Sequence, residues 1–433
     1  MTFTTGRAPG ALPLVGHGLR LLRRPVGFLA SLPAHGDLVE VRLGPRPAYV
    51  PCHPRLLNQV LTDDRTFDKG GPLMEKAREV AGNDLLTCPH RDHRPLRRLV
   101  QPAFKKTDLG QYGEVMEQEI TALVESWSPD RVVDTFAELS RVGVRIIARA
   151  LFGADLDLAT ADGLHRAFKA FSAQVGVRMF VPDLLQALPV PVNRRYRQSI
   201  HDLHTIVDQI IADSQGGLLS VLAGADKDHA EIRDEVIGLL GAGTETTAVG
   251  VTWALHLLTR HPQVQDRLRR EVDTVLNGRS PRFADLPTLP YTANVITEAL
   301  RLHPPIWLST RATTAPVEVA GTRLPIGATI LYSPAVVHRR ADVFDRPDTF
   351  EPDRWSPGRG LTVPRGAFVP FGGGARKCLG DEFAMAEATL TLAGIVGRLR
   401  IEPSTGSDLR PAPLAGINHP RKLMLRTRHR DPS

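Results

Sequence analysis

Cys378 stands in Phe371-Gly372-Gly373-Gly374-Ala375-Arg376-Lys377-Cys378-Leu379-Gly380, the stretch of this chain best suited to reactive chemistry. Glycines at 372 to 374 and 380 permit positive φ and close backbone approach, so backbone N–H groups can turn toward a sulfur. An apolar-periodic stretch then runs to Leu399, which puts Cys378 at a helix N-terminus, where the dipole favours an anionic sulfur. Such a thiolate can bind a soft metal centre, and one axial thiolate with no second cysteine nearby points to haem iron. The plainer reading of a lone cysteine is a small buried hydrophobe. A phosphate cradle would use the glycines, but no Gly-Lys-Ser/Thr follows and the cysteine is left without a role.

Three other groups could do chemistry. Residues 231 to 260 read as one long helix stopped by His261-Pro262, yet its interior holds Gly238, Gly241 and Gly243, then Thr244-Glu245-Thr246-Thr247. Each interior glycine costs about 1 kcal/mol against alanine, and a buried acid adds to that cost. Local rules broken this often mark function; a helix kinked by threonine back-bonding is the plainer alternative. His93 and Arg97 lie four apart on one helix face, where two cationic donors can clamp a carboxylate or phosphate. A solvated basic face is the competing reading. Glu298 and Arg301 are three apart on a helix over 291–303, a common pair worth little alone.

Taken together, these stretches resemble the cytochrome P450 family. Residues 371–380 fit F-x-x-G-x-x-x-C-x-G, residues 242–247 fit [AG]-G-x-[DE]-T-[TS], and Glu298 with Arg301 fits E-x-x-R. Phe350-Glu351-Pro352-Asp353-Arg354-Trp355 fits the family's meander, with Asp353 where Glu is usual, and His93 stands where Trp is often seen. The motifs keep the family's order over nearly the whole chain. The resemblance implies a mainly α cytochrome P450 fold in a single domain over 1–433. Its large helical lobe, mainly 90–303 and 378–398, would surround a long central helix, beside a smaller β-rich lobe, mainly 36–66 and 314–335.

The same resemblance implies roles. Cys378 would be the axial thiolate of haem b, with Phe371, Gly374 and Gly380 shaping its loop. His93, Arg97, Arg311 and Arg376 would hold the propionates, and Ala242 and Gly243 would open a groove over the iron. Glu245 and Thr246 would pass protons to dioxygen, and Glu298, Arg301 and Arg354 would form a buried structural cluster. The activity implied is a monooxygenase that inserts one atom of O2 into a C–H bond, once or in several successive oxidations. The chain ends soon after Cys378, so electrons from NAD(P)H are expected through separate partners, a ferredoxin and a ferredoxin reductase. Arg91, Arg94, Arg98, Lys105, Lys106 and Lys377 are the basic candidates for meeting that ferredoxin. A peroxide-driven peroxygenase, a haem-thiolate sensor or carrier, and a purely structural Cys378 are the competing readings.

A finer resemblance lies in Ala48 to Pro54, Leu61 to Pro72 and His90 to Phe104, which look like the pentalenene oxygenases of actinobacteria. These oxidise a tricyclic sesquiterpene at a methyl carbon. A small apolar substrate agrees with the apolar residues Leu73, Met74, Leu85 and Leu86, then Phe171, Met179 and Phe180. Leu239 and Ala242 on the central helix, Trp307, Leu308, Leu414 and Ile417 complete the candidate pocket, with Arg178 as a charge that does not fit it. A macrolide, fatty acid or steroid substrate is the alternative.

The elements that must position these groups follow from pattern. The chain has 433 residues, 42% hydrophobic and 23% charged, which is the composition of an ordinary globular protein with a large core. Cys52, Cys88 and Cys378 are too few for a disulfide framework, and no run of about 18 apolar residues spans a membrane. A cytoplasmic monomer is expected. The net charge of +7 comes with no nucleic-acid motif, so an acidic partner protein is expected rather than nucleic acid. Leu38 to Leu43 alternates as a strand and pairs back through Gly44 with Ala48 to Pro51. Helices are expected at 25–34, 54–61, 108–127, 134–152, 193–213 and 262–276. Residues 8–18 read as extended, 68–89 as a long loop with a short helical piece, and 214–229 as a polar loop. Residues 316–332 and 399–427 read as strands.

Overall fold

The computed structural model describes residues 2–214, 216–411 and 416–430. At one end lies a six-stranded sheet in the order Thr5–Arg7, Leu38–Leu43, Arg46–Pro51, Thr329–Tyr332, Ser309–Thr313, Phe67–Lys69. The alternating run forms its strand residue for residue, and Gly44 at φ 63° turns it into an antiparallel hairpin with Arg46–Pro51. The sheet also recruits Thr5–Arg7, Phe67–Lys69 and Ser309–Thr313, which were not expected as strands. Strands this short carry too little alternation to be read; their partners create them.

Two expected loops contain helices. Pro72 opens the helix Pro72–Ala81 and Gly82, at φ 56°, closes it, so half of the 68–89 stretch is regular. Gly217–Ala223 is helical within the expected polar loop, because Leu218, Leu219 and Leu222 are buried in the main core. A short helix, Gly18–Arg23, follows the lead-in directly.

The central helix, His229–Arg260, runs 32 residues through the main core. Asp228 and Glu231 form a capping box that starts it. Each interior glycine admits a different neighbour. A Cβ at Gly241 would lie 3.0 Å from Phe168, one at Gly243 2.7 Å from Ile147, and one at Gly238 1.8 Å from Asp84. The glycines therefore let three elements close onto one helix, and the helix stays continuous.

Pro290–Leu302 carries the most deeply buried charges. Arg301 donates from Nε and Nη2 to the two carboxylate oxygens of Glu298, both at 2.8 Å, and both side chains are wholly buried. Arg354 approaches Glu298 at 3.4 Å, and the Trp355 indole donates to it at 2.9 Å. The remaining Arg301 N–H groups reach the carbonyls of His338, Pro347 and Thr349. Asp353, the odd residue of the meander, pairs with Arg267. A buried pair is costly to break because one charge is left uncompensated, so Glu298→Ala is expected to lower stability by about 3–5 kcal/mol in urea unfolding. A loss under about 1 kcal/mol would mean that solvent already reaches the cluster.

Candidate active site

The cysteine loop is held by contacts that its sequence only partly foretells. The Cys378 backbone N–H donates to Phe371 O at 2.9 Å, closing the loop on itself. Only Gly372 and Gly374 take positive φ, at 71° and 65°. Gly374 is the sterically required one, since a Cβ there would sit 2.2 Å from Leu61 O. Gly380 has φ −95° and caps the helix Asp381–Arg398. Protein crowds Cys378, yet its own surface is accessible, so the thiol faces a concavity and not packed side chains. Burial pushes this thiol above its ordinary range, while the Gly380 N–H, Arg97 and Lys377 pull the other way.

Cationic side chains gather around this loop in two kinds. Those already committed are Arg97 and, apart from its buried Nε, Arg376. Arg97 donates to Lys377 O at 2.8 Å, and Arg376 donates to Cys88 O at 2.8 Å and Asp68 at 3.0 Å, with Asp64 at 3.4 Å. Those with unspent donors are Arg311 and His93. Arg311 is 2% exposed, and its Nε and Nη1 have no partner among the described residues; nor has His93 Nδ1. Lys69, which sequence reading passed over, pairs directly with Arg311 in the sheet, so the two side chains share a face. Burial, then the nearby Arg311 and Arg376, hold its ammonium far below the usual lysine range. Nothing in a three-residue strand signals this. The expected pair of cations on the His90–Val100 helix is corrected: burial and the neighbouring Arg376 and Arg97 push His93 to about 4, so it is a neutral donor.

Buried, unpaired donors of this kind cost free energy unless an acceptor meets them. An accessible thiol on a loop whose Arg376 lies near His93 and Lys69, with Arg311 opposite Lys69, therefore fits a group with both a metal and carboxylates. Among the described residues no three His, Cys, Asp or Glu side chains converge as an alternative metal site.

On the central helix, Ala242 is exposed in the middle of an otherwise buried element. Gly243 instead serves the packing of Ile147 on the helix Thr135–Phe152. Glu245 is 5% exposed, and its Oε1 has no partner among the described residues. Burial raises its carboxyl to about 8, with Lys169 acting against the shift, so it carries a proton at neutral pH. The Thr246 hydroxyl donates back to Ala242 O at 2.7 Å.

A model of the cytochrome P450 family matches residues 7–426. The chain belongs to the cytochrome P450 family. A pentalenene oxygenase of Streptomyces avermitilis is 47% identical over 100% of this chain and 99% of its own. A cyclooctatin synthase of Streptomyces melanosporofaciens is 48% identical, and a cyclooctat-9-en-7-ol 5-monooxygenase of the same organism 44% identical, each over 94% of this chain and 92% of its own. The chain is therefore a cytochrome P450 monooxygenase of a haem-iron family, and such enzymes depend on redox partners for electrons. No helix among the described residues is long and apolar enough to cross a membrane.

The candidate pocket residues of this P450 fall into three groups. Leu73, Met74, Phe171 and Met179 meet in one apolar cluster with Val175. Trp307 and Leu308 are buried in the core under the sheet, and Phe180 and Met179 pack against that core. Leu85, Leu239 and Ile417 belong to the main core, while Leu86 is 48% exposed. Leu414 lies outside the described residues. The doubtful Arg178 is accounted for by the Asn193 side chain at 3.3 Å and the Tyr196 ring at 4.1 Å. With its two unspent donors, Arg311 should matter most for retention of the group. Arg311→Leu is expected to speed haem transfer to apomyoglobin about ten- to a hundred-fold, since hydrogen bonds to charged groups contribute about 1.5–3 kcal/mol. An unchanged transfer rate would remove Arg311 from the site.

Proposed function

We propose that this monooxygenase oxidises a C–H bond of a small terpenoid, a sesquiterpene hydrocarbon of the pentalenene kind. The observation that carries the reading is full-length similarity, at 47% identity, to an enzyme named for pentalenene. The apolar cluster of Leu73, Met74, Phe171, Val175 and Met179 supports it, since nothing ionisable lies among those five side chains.

Bound haem would supply the oxygen-activating chemistry, and the Cys378 thiolate would hold its iron. Arg311, His93 and Lys69 would meet the propionates, and Arg376 would act at one remove by fixing the loop to Asp64 and Asp68. Glu245 holds a proton at its carboxyl, and the Thr246 hydroxyl, by releasing Ala242 O, can take up and pass that proton. Electrons would come from NAD(P)H through a ferredoxin and its reductase. Arg91, Arg94 and Arg98 are exposed on the helix whose Arg97 binds Lys377 O, and Lys105 is exposed soon after it. Lys106 and Lys377 are exposed too but already face Glu382 and Asp381.

The substrate class is read from the haem spin-state shift with a panel of terpenes, fatty acids, steroids and macrolides. Pentalenene-like hydrocarbons should move the spectrum toward high spin; a macrolide or fatty acid that does so while every terpene fails would overturn the reading. The carbon monoxide complex should show the red-shifted thiolate band, and Cys378→Ala should lose it. Turnover should fall as pH rises through about 8, where Glu245 loses its proton. Glu245→Gln should lower turnover by about a hundred-fold and lose that limb of the profile. A variant that keeps the limb would place the proton on another group.

A further inference from the structure

Residues 82–88 cross between the central helix and the cysteine loop. Asp84, 1% exposed, lies directly on the bare backbone at Gly238, where a Cβ would stand 1.8 Å from its Oδ2 and 2.8 Å from its Cγ. Its Oδ1 accepts from the Thr87 backbone N–H at 2.8 Å and lies 2.7 Å from the Thr87 hydroxyl. That hydroxyl is also 2.7 Å from Gly82 O. Thr87 has one hydroxyl proton for two acceptors, and a proton carried on Asp84 satisfies all three groups. One turn earlier on the central helix, Glu235 accepts from the Leu85 N–H at 3.2 Å, and its Oε1 is buried without a hydrogen-bond partner among the described residues. From the far side, Arg78 reaches Thr87 O at 2.7 Å and Arg376 reaches Cys88 O at 2.8 Å.

We propose that Asp84, seated on Gly238, is a positioning residue that clamps residues 82–88 to the central helix and so fixes Leu85 and Leu86 as a wall of the substrate pocket. The pocket half rests on the proposed function and on the sequence reading of Leu85 and Leu86 as pocket residues; the clamp itself stands on the contacts. A glycine inside a core helix is thereby given a specific purpose, since any side chain at 238 would expel the carboxylate.

The clamp responds to pH. Burial raises Asp84 to about 6, and burial, followed by repulsion from Asp84, raises Glu235 to about 7. Lys69 faces Asp84, and Lys227 faces Glu235, each favouring the ionised acid. Asp234 also faces Glu235, and is itself raised by burial with Arg233, His204 and Asp228 around it. Cys88 lies beside the group, with its thiol pushed up to about 11 by burial. The closed clamp binds protons more tightly than an opened segment with ordinary carboxyl groups. Opening therefore becomes easier as pH rises from about 4 to about 7, and levels off above that.

Amide hydrogen exchange on the haem-loaded protein tests this, with rates corrected for intrinsic pH dependence. Asp84→Ala and Gly238→Ala should each speed exchange at Leu85 and Thr87 about ten-fold or more, while strand Leu38–Leu43 is unchanged. Alanine at 238 favours the helix itself, so faster exchange cannot come from a weakened helix. The double variant should add nothing to either single one. Glu235→Gln should shrink the rise in exchange between pH 5 and 7, with the pH chosen from the two shifts. As a pocket readout, Gly238→Ala should weaken clotrimazole binding at the haem about ten-fold and leave imidazole within about two-fold. Unchanged exchange in both single variants overturns the clamp. Faster exchange with unchanged clotrimazole affinity overturns the pocket wall. A failure of every terpene in the substrate panel would leave these exchange ratios as stated, so the two readings fail separately.

Discussion

One buried guanidinium joins the segments on which the site depends. Arg376 donates to the Cys88 carbonyl and Asp68 and pairs by charge with Asp64 at 3.4 Å, while His90 meets the same Asp64 at 3.1 Å. The strand Phe67–Lys69, the start of the histidine helix and the cysteine loop thus share one planar, permanently charged fork. An ammonium in its place would offer a point charge and could not hold three partners in fixed directions. The sulfur two residues later is held still by its neighbour's bonds as much as by its own.

The opposite wall is organised by what is missing. A helix of 32 residues at the centre of a domain would ordinarily keep its neighbours a side chain's width away. Glycines at 238, 241 and 243 remove that spacing on three sides, for an acid, a phenyl ring and an isoleucine. Ala242 remains as the exposed step between two of them. The helix propensity given up at these positions is recovered in packing and in the burial of groups that need a fixed depth.

The residues that carry chemistry were legible because their order and spacing are short-range properties. Cys378 among its glycines, Glu245-Thr246 in a helix that breaks propensity rules, and the Glu298–Arg301 pair could each be read from a window of a few residues. Most long helices were equally legible, His229–Arg260 within two residues of expectation at its start, but Leu158–Arg178 was read only as an apolar stretch. What could not be read depends on partners distant in sequence. Lys69 becomes unusual through burial and through Arg311 opposite it and Arg376 nearby, and Asp84 because it falls on Gly238. The charge on His93 could not be read either: a window shows the imidazole and the guanidinium, not the burial that keeps the ring neutral.

Met179 belongs to two apolar clusters at once, packing both on Leu73, Met74 and Val175 and on the core beneath the sheet that holds Trp307 and Leu308. The wall of the candidate pocket and the foundation of the β-rich region are therefore the same material. A chain that evolves to admit a bulkier ligand by trimming this side chain also withdraws contacts from the sheet. Changes of ligand size and losses of thermal tolerance would travel together through this lineage, and a broadened variant would need a second, filling substitution under the sheet to persist.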